Sequence, residues 1–243
     1  MNCSVIGYGN FSRTACYYLK EYFNLFVYDI KQDIFIPDYI VKTDLETALG
    51  QDIVILSLPV QYIENFLKSN CCFFKKGAIV LDICSVKLKP VSLMKQYLPK
   101  DVNFIGTHPL FGPQSIKNGF SGQKIVLTTE VENKELYEKV KNFLKDTLQL
   151  EIIEMTSSDH DKEMARVQAL NHFIVRALKK LDLQPSLVST PAYNKLFDLY
   201  ETLKYDSDDL FYTIQRENLY ADAMRRNFIN VLQDIEGDIL NEK

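Results

Sequence analysis

The chain has 243 residues, 47% apolar and 25% charged, the composition of a folded globular protein long enough for one or two cores. A net charge of −4 excludes the basic face that a nucleic-acid partner would need, and no apolar run approaches the roughly 20 residues of a membrane span. Five cysteines in no metal-ligand or redox spacing fit a reducing compartment, and a first strand starting almost at Met1 leaves no room for a targeting peptide, so a cytoplasmic address and no metal site are expected.

Cys3-Ser-Val-Ile6 is predicted as a strand, and a helix follows from about Asn10 to Tyr22. Between them lies Gly7-Tyr8-Gly9-Asn10-Phe11-Ser12, which matches the dinucleotide fingerprint with Ser12 in the third small position. The first glycine makes the tight turn, and the second lets the backbone approach a pyrophosphate resting on the helix N-terminus. Leu25 to Asp29 is the second strand, and Asp29 stands twenty residues beyond Gly9 at its end. A carboxylate there accepts from both ribose hydroxyls and repels a 2′-phosphate, which favours NAD over NADP. Lys31, two residues on, would soften that repulsion.

Further buried strands are predicted over Asp52–Ser57, Ala78–Asp82, Asn103–Ile105, Lys124–Thr128 and Glu151–Ile153, with helical patterns between them, the clearest from Glu132 to Leu148. Ser57-Leu58-Pro59 is the next loop expected against the cofactor. Continuous apolar strands alternating with helices imply a doubly wound α/β (Rossmann) sheet over 1–155. Within it, Gly106-Thr-His-Pro-Leu-Phe-Gly-Pro113 places His108, one of three histidines, at the carboxyl end of a strand, where open α/β sheets bind ligands. An unperturbed pKa near 6.5 suits His108 to accept a proton at neutral pH. Ser85, in Asp82-Ile-Cys-Ser-Val-Lys87, is expected to face the same crevice.

From residue 156 no strand pattern returns. Ser157-Ser-Asp-His160 reads as a capped helix start, His160 itself as a cap, with helical periodicity running to about Leu183 and breaking at Pro185 and Pro191. Helices then follow over about Ala192–Lys204 and Asp208–Leu240. This all-α part, 156–243, carries apolar residues at helical spacing (Leu210, Ile214, Leu219, Met224, Phe228, Leu232, Ile235) and is too small to bury both faces, so pairing with a second copy is expected. Gln168, His172 and Arg176 follow at i, i+4 steps on one helix face, which breaks up its apolar neighbours and is expected to look into a wet cleft.

Taken together, Gly7 to Ser12, Asp82 to Lys87, His108 to Pro113 and His160 to His172 resemble the prephenate/arogenate dehydrogenase family of tyrosine biosynthesis, and the chain is most similar to its short plant-type members. Ser189-Thr-Pro191 and Asp206-Ser-Asp-Asp-Leu210 also resemble that family's substrate-loop segments. Asp29 departs from the plant-type pattern, which lacks the acid and prefers NADP; Ala192 departs from a glycine common there.

The resemblance implies a cyclohexadienyl substrate with a ring hydroxyl and a ring carboxylate. His108 would take the hydroxyl proton as hydride passes to NAD⁺, and decarboxylation would aromatise the ring. Ser85 would orient His108 or bridge it to nicotinamide and substrate, while Gln168, His172 and Thr190 would contact the substrate. Asp206, with Asp208 as the alternative, would attract the ammonium of arogenate and repel the side chain of prephenate. Competing expectations are another Rossmann-plus-helical reductase of the β-hydroxyacid or pyrroline-carboxylate type, and a non-catalytic NAD-binding sensor.

Overall fold

A computed structural model of the protein describes residues 1–116, 119–203 and 207–241. The chain divides into two compact units, Met1–His160 and Asp161–Lys243.

In the first unit β1 (Asn2–Ile6), α1 (Asn10–Leu19), β2 (Asn24–Tyr28), β3 (Ile40–Lys42), α2 (Leu45–Leu49), β4 (Ile53–Leu56), α3 (Val60–Asn70), β5 (Ile79–Asp82), α4 (Leu88–Tyr97), β6 (Asn103–Pro109), β7 (Lys124–Thr128), α5 (Lys134–Asn142) and β8 (Glu151–Met155) follow in order. The strands form one sheet in the order β3-β2-β1-β4-β5-β6-β7-β8. Every pairing is parallel except β6 with β7. The helices bury one stripe each against this sheet. Ser12, Cys16 and Leu19 do so on α1, and Val60, Ile63 and Leu67 on α3, at the spacing of a single helical face. Asp44 caps α2 by accepting from Thr47 N at 2.8 Å, and Asn133 caps α5 by accepting from Leu136 N at 3.1 Å.

Strand order reverses between β1 and β4, because the chain first builds outward through β2 and β3 and then returns to the other side of β1. The carboxyl ends of β1 and β4 therefore flank the crevice in which doubly wound sheets bind ligands.

The structure departs from the sequence expectation at several ends. Strand β3 and helix α2 lie where no element was named, and α1 stops at Leu19 rather than Tyr22. β6 runs on to Pro109 because Thr107, His108 and Pro109 pair antiparallel with Leu127, Val126 and Ile125. His108 thus lies within a strand, paired with Val126 of β7 beyond the point where pairing with β5 ends at Gly106.

Helix α6 (Ser157–Met164) ends the first unit and begins the second. The second unit continues through a π-helical turn, Ala165–Ala169, into α7 (Leu170–Lys180), α8 (Pro191–Leu203), α9 (Asp208–Glu217) and α10 (Ala221–Asn241). Its buried apolar centre is small: Ala169, Ile214 and Ala221, with Leu210 packed against them. Polar bonds supplement it, Gln215 Nε2 donating to Ala169 O at 2.6 Å and Arg225 Nη1 to Gln215 O at 2.7 Å. The predicted helix to Leu183 is interrupted by the π turn and ends at Lys180. No described helix is long and apolar enough to cross a membrane.

Candidate active site

The glycine loop is built for close approach. Gly7 has φ +95°, and a Cβ there would sit 2.4 Å from Ser57 O, so only glycine fits. A Cβ at Gly9, by contrast, would meet nothing within 4 Å. Gly9 is the N-cap of α1 and has no side chain to cap it, so it offers the first-turn N–H groups no side-chain acceptor. Asp29 accepts from Tyr8 N at 2.7 Å and from Lys31 N at 2.8 Å, which fixes the carboxylate beside the loop. Ser12 Oγ donates to Ser57 Oγ at 2.6 Å, joining the β1 and β4 crevice walls, and Leu58 lies over Gly7. Pro59 is exposed and opens α3. Uncapped helix N-terminus, open space at Gly9 and anchored acid together fit a dinucleotide.

A second cluster lies at the end of β5 and β6. Lys87 is fully buried, ion-paired with Asp82, and donates to Thr107 O at 2.6 Å. Asp82 also accepts from Cys84 N at 3.0 Å, and Thr107 Oγ1 donates to Asp82 O at 2.5 Å. Gly106 allows this closeness: a Cβ there would come within 2.5 Å of Val91 and 2.8 Å of Thr128 Oγ1. On the next residue, His108 is only 4% exposed, and its Nδ1 lies 2.8 Å from Nε2 of His160. Burial, then the neighbouring His160, then the Lys87 ammonium hold its pKa well below the usual 6.5, so the ring is neutral at pH 7. Phe11 on α1 packs against Phe111 of the following loop at 5.9 Å between ring centres, tying glycine loop to histidine loop. Ser85 is half-buried in the turn between β5 and α4.

Two family models match the chain: "Prephenate dehydrogenase, nucleotide-binding domain" over residues 33–149, and "TYRAAT1-like, C-terminal domain" over 177–243. Arogenate dehydrogenase 1, chloroplastic, of Arabidopsis thaliana is 31% identical over 202 residues, 76% of this chain and 32% of the relative. A probable arogenate/prephenate dehydrogenase of Methanocaldococcus jannaschii is 28% identical over 210 residues, 83% of this chain and 46% of the relative.

Over residues 33–149 the chain is similar to the nucleotide-binding domain of prephenate dehydrogenases, and its relatives include two chloroplastic arogenate dehydrogenases. It spans 32% to 46% of the length of these two relatives. Among solved structures, prephenate dehydrogenase from A. aeolicus in complex with hydroxyphenyl propionate and NAD⁺ shares the fold, with a TM-score of 0.77 at 22% identity, covering 100% of this chain and 91% of that one. Synechocystis arogenate dehydrogenase shares it at a TM-score of 0.72 and 20% identity, covering 100% and 93%.

The remaining expected site residues lie in the second unit. Gln168 sits in the π turn and His172 in α7, both half-buried. Oε1 of Gln168 is buried with no hydrogen-bond partner among the described residues. The Thr190 hydroxyl accepts from Tyr193 N at 3.2 Å, so it caps α8 while its own proton stays available to donate. Asp206 lies outside the described residues. Asp208 is paired with Arg176 at 2.6 Å.

Three residues were missed by sequence reasoning. His160 was read as a helix cap, yet Thr156 performs that task, its Oγ1 accepting from Asp159 N at 3.1 Å, while the His160 ring meets His108. Lys87 and Asp82 were noticed only as flanks of Ser85. A lysine and an aspartate bracketing a short apolar turn at the end of a buried strand were the available signal.

Proposed function

We propose that this chain is an NAD-dependent dehydrogenase that oxidatively decarboxylates arogenate to tyrosine, with prephenate, yielding 4-hydroxyphenylpyruvate, as the other substrate. The observation that carries the reading is His108: a buried, neutral imidazole with one ring nitrogen engaged, on the strand that follows the Asp82–Lys87 turn. The names of the matched relatives support the substrate class.

Gly7, Tyr8, Gly9, Asn10, Phe11 and Ser12, with Asp29, Ser57, Leu58 and Pro59, would hold NAD; when bound, the nicotinamide supplies the hydride acceptor. Asp29 makes NADP the poorer ligand. His108 accepts the proton of the ring hydroxyl at Nε2, the nitrogen not facing His160, and Ser85 hydrogen-bonds the same hydroxyl. An imidazole already protonated could not do this, so the lowered pKa serves the chemistry. Gln168, His172 and Thr190 bind the substrate; the unpartnered Gln168 Oε1 supports its role, since buried polar atoms without partners are rare. Asp206 binds the ammonium of arogenate, and the pairing of Asp208 with Arg176 favours Asp206 over its neighbour.

Two further readings accompany this one. The chain works as a homodimer through its helical unit: Val231, Leu232, Ile235 and Ile239 on α10 are 45% to 58% exposed, a stripe that a second copy would cover. Five free thiols support a cytoplasmic address. The function is tested by offering purified protein and NAD⁺ each substrate and identifying the product. Tyrosine from arogenate is the expected result; turnover of neither substrate would refute the reading. Sedimentation at micromolar concentration tests the dimer.

A further inference from the structure

We infer that His160 is a positioning residue for the base: it accepts the Nδ1 proton of His108 and so leaves the Nε2 lone pair of His108 free to receive the substrate proton. The inference rests on the reading of His108 as that base.

Two imidazole nitrogens 2.8 Å apart can share one proton and no more. If both carried hydrogens they would collide; if neither did, two lone pairs would face each other in a buried place. Two arrangements remain. His160 could donate from Nε2, which would put the proton of neutral His108 on Nε2 and remove the lone pair that the reaction needs. Alternatively, His108 donates from Nδ1 and His160 accepts, and only this tautomer of His108 is a base toward a group at Nε2.

The surroundings hold the ring in place for this. His160 is 0% exposed, on a helix whose N-terminus is capped by Thr156, and the two rings meet edge to face at 71° with centres 5.0 Å apart. The His108 backbone is fixed in β6 opposite Val126, and Lys87 clamps the carbonyl of the residue before it. The ring therefore has one place to sit and one acceptor to meet. An acidic acceptor in this position would stabilise the imidazolium and raise the pKa of His108. A neutral imidazole fixes the tautomer without that cost, beside a lysine that disfavours a second positive charge.

The test compares His160→Phe, which keeps a ring but has no acceptor, with His160→Gln, whose amide oxygen reaches the position of Nε2. Nitrogen-15 NMR of the cofactor-free protein, labelled in its histidines, reads the tautomer directly, with the three histidines assigned by single replacement. Wild type and His160→Gln should carry the His108 proton on Nδ1, and His160→Phe should shift it toward Nε2. In turnover, His160→Phe should lose kcat roughly a hundredfold or more with KM nearly unchanged, and His160→Gln should regain at least about tenfold of that. Wild-type His108 protonated at Nε2, His160→Phe with undiminished kcat, or His160→Gln as impaired as His160→Phe would each overturn the inference. If instead His108→Ala itself turns over normally, the reading of the base fails, while the NMR result still reports on the pair.

Discussion

Lys87 donates to the main-chain carbonyl of Thr107 at 2.6 Å, one residue before His108, while its charge is neutralised by Asp82 in a wholly buried pair. Lys87 thereby joins the loop after β5 to β6 and fixes the backbone immediately before His108. Removing one member strands the other charge in the core. Lys87→Met should therefore destabilise the fold by about 3–5 kcal/mol. Combining it with Asp82→Asn, which leaves no unpaired charge, should recover part of that loss. Urea denaturation of wild type and both variants checks this, and a Lys87→Met protein as stable as wild type would contradict it.

The lowered pKa of His108 predicts two pH effects. The acidic limb of kcat/KM should fall below pH 6.5, because the free enzyme holds the imidazole neutral there. Stability follows the same shift. Between the folded value and 6.5 the unfolded chain binds the extra proton, so stability rises with pH through that window and is fully present above it. Replacing His108 with Gln should flatten this part of the stability profile. A limb at or above 6.5, or an unchanged slope in His108→Gln, would contradict the assignment.

Asp29 is anchored by two backbone donors, so its carboxylate is in place before any cofactor arrives. The ratio of kcat/KM for NAD⁺ over NADP⁺ should exceed one and should fall at least about tenfold in Asp29→Asn, once the charge facing a 2′-phosphate is gone. Steady-state assays at matched concentrations decide it, and a wild-type preference for NADP⁺ would rule out this role.

Asp206→Asn should shift the arogenate/prephenate ratio of kcat/KM toward prephenate, since the attraction for the ammonium is lost along with the repulsion of the keto acid. An unchanged ratio would remove Asp206 as the determinant.

The sheet was legible because its signals are local. Val54 and Leu56, or Val80 and Leu81, lie in short apolar runs, and Gly7 and Asp29 stand at the ends of such runs. What escaped depends on partners distant in the chain. β3 is three residues long and owes its existence to pairing with β2. β6 is lengthened only by β7, and His108 finds its nitrogen partner fifty-two residues on. A histidine four residues into a helix carries no mark that distinguishes a cap from a buried partner. Gln168 and His172 were named from an i, i+4 step, but the π turn between Ala165 and Ala169 shifts the phase of the face that carries them.

His108 acts as the base of the proposed oxidative decarboxylation. Wild type and His108→Ala should be given arogenate and NAD⁺, with tyrosine and NADH followed together and NAD⁺ binding measured separately. The expected result is equimolar tyrosine and NADH from wild type, and at least a hundredfold to ten-thousandfold lower kcat in the variant with NAD⁺ affinity retained, as loss of a general base requires at roughly that scale. Undiminished tyrosine formation by His108→Ala would contradict it.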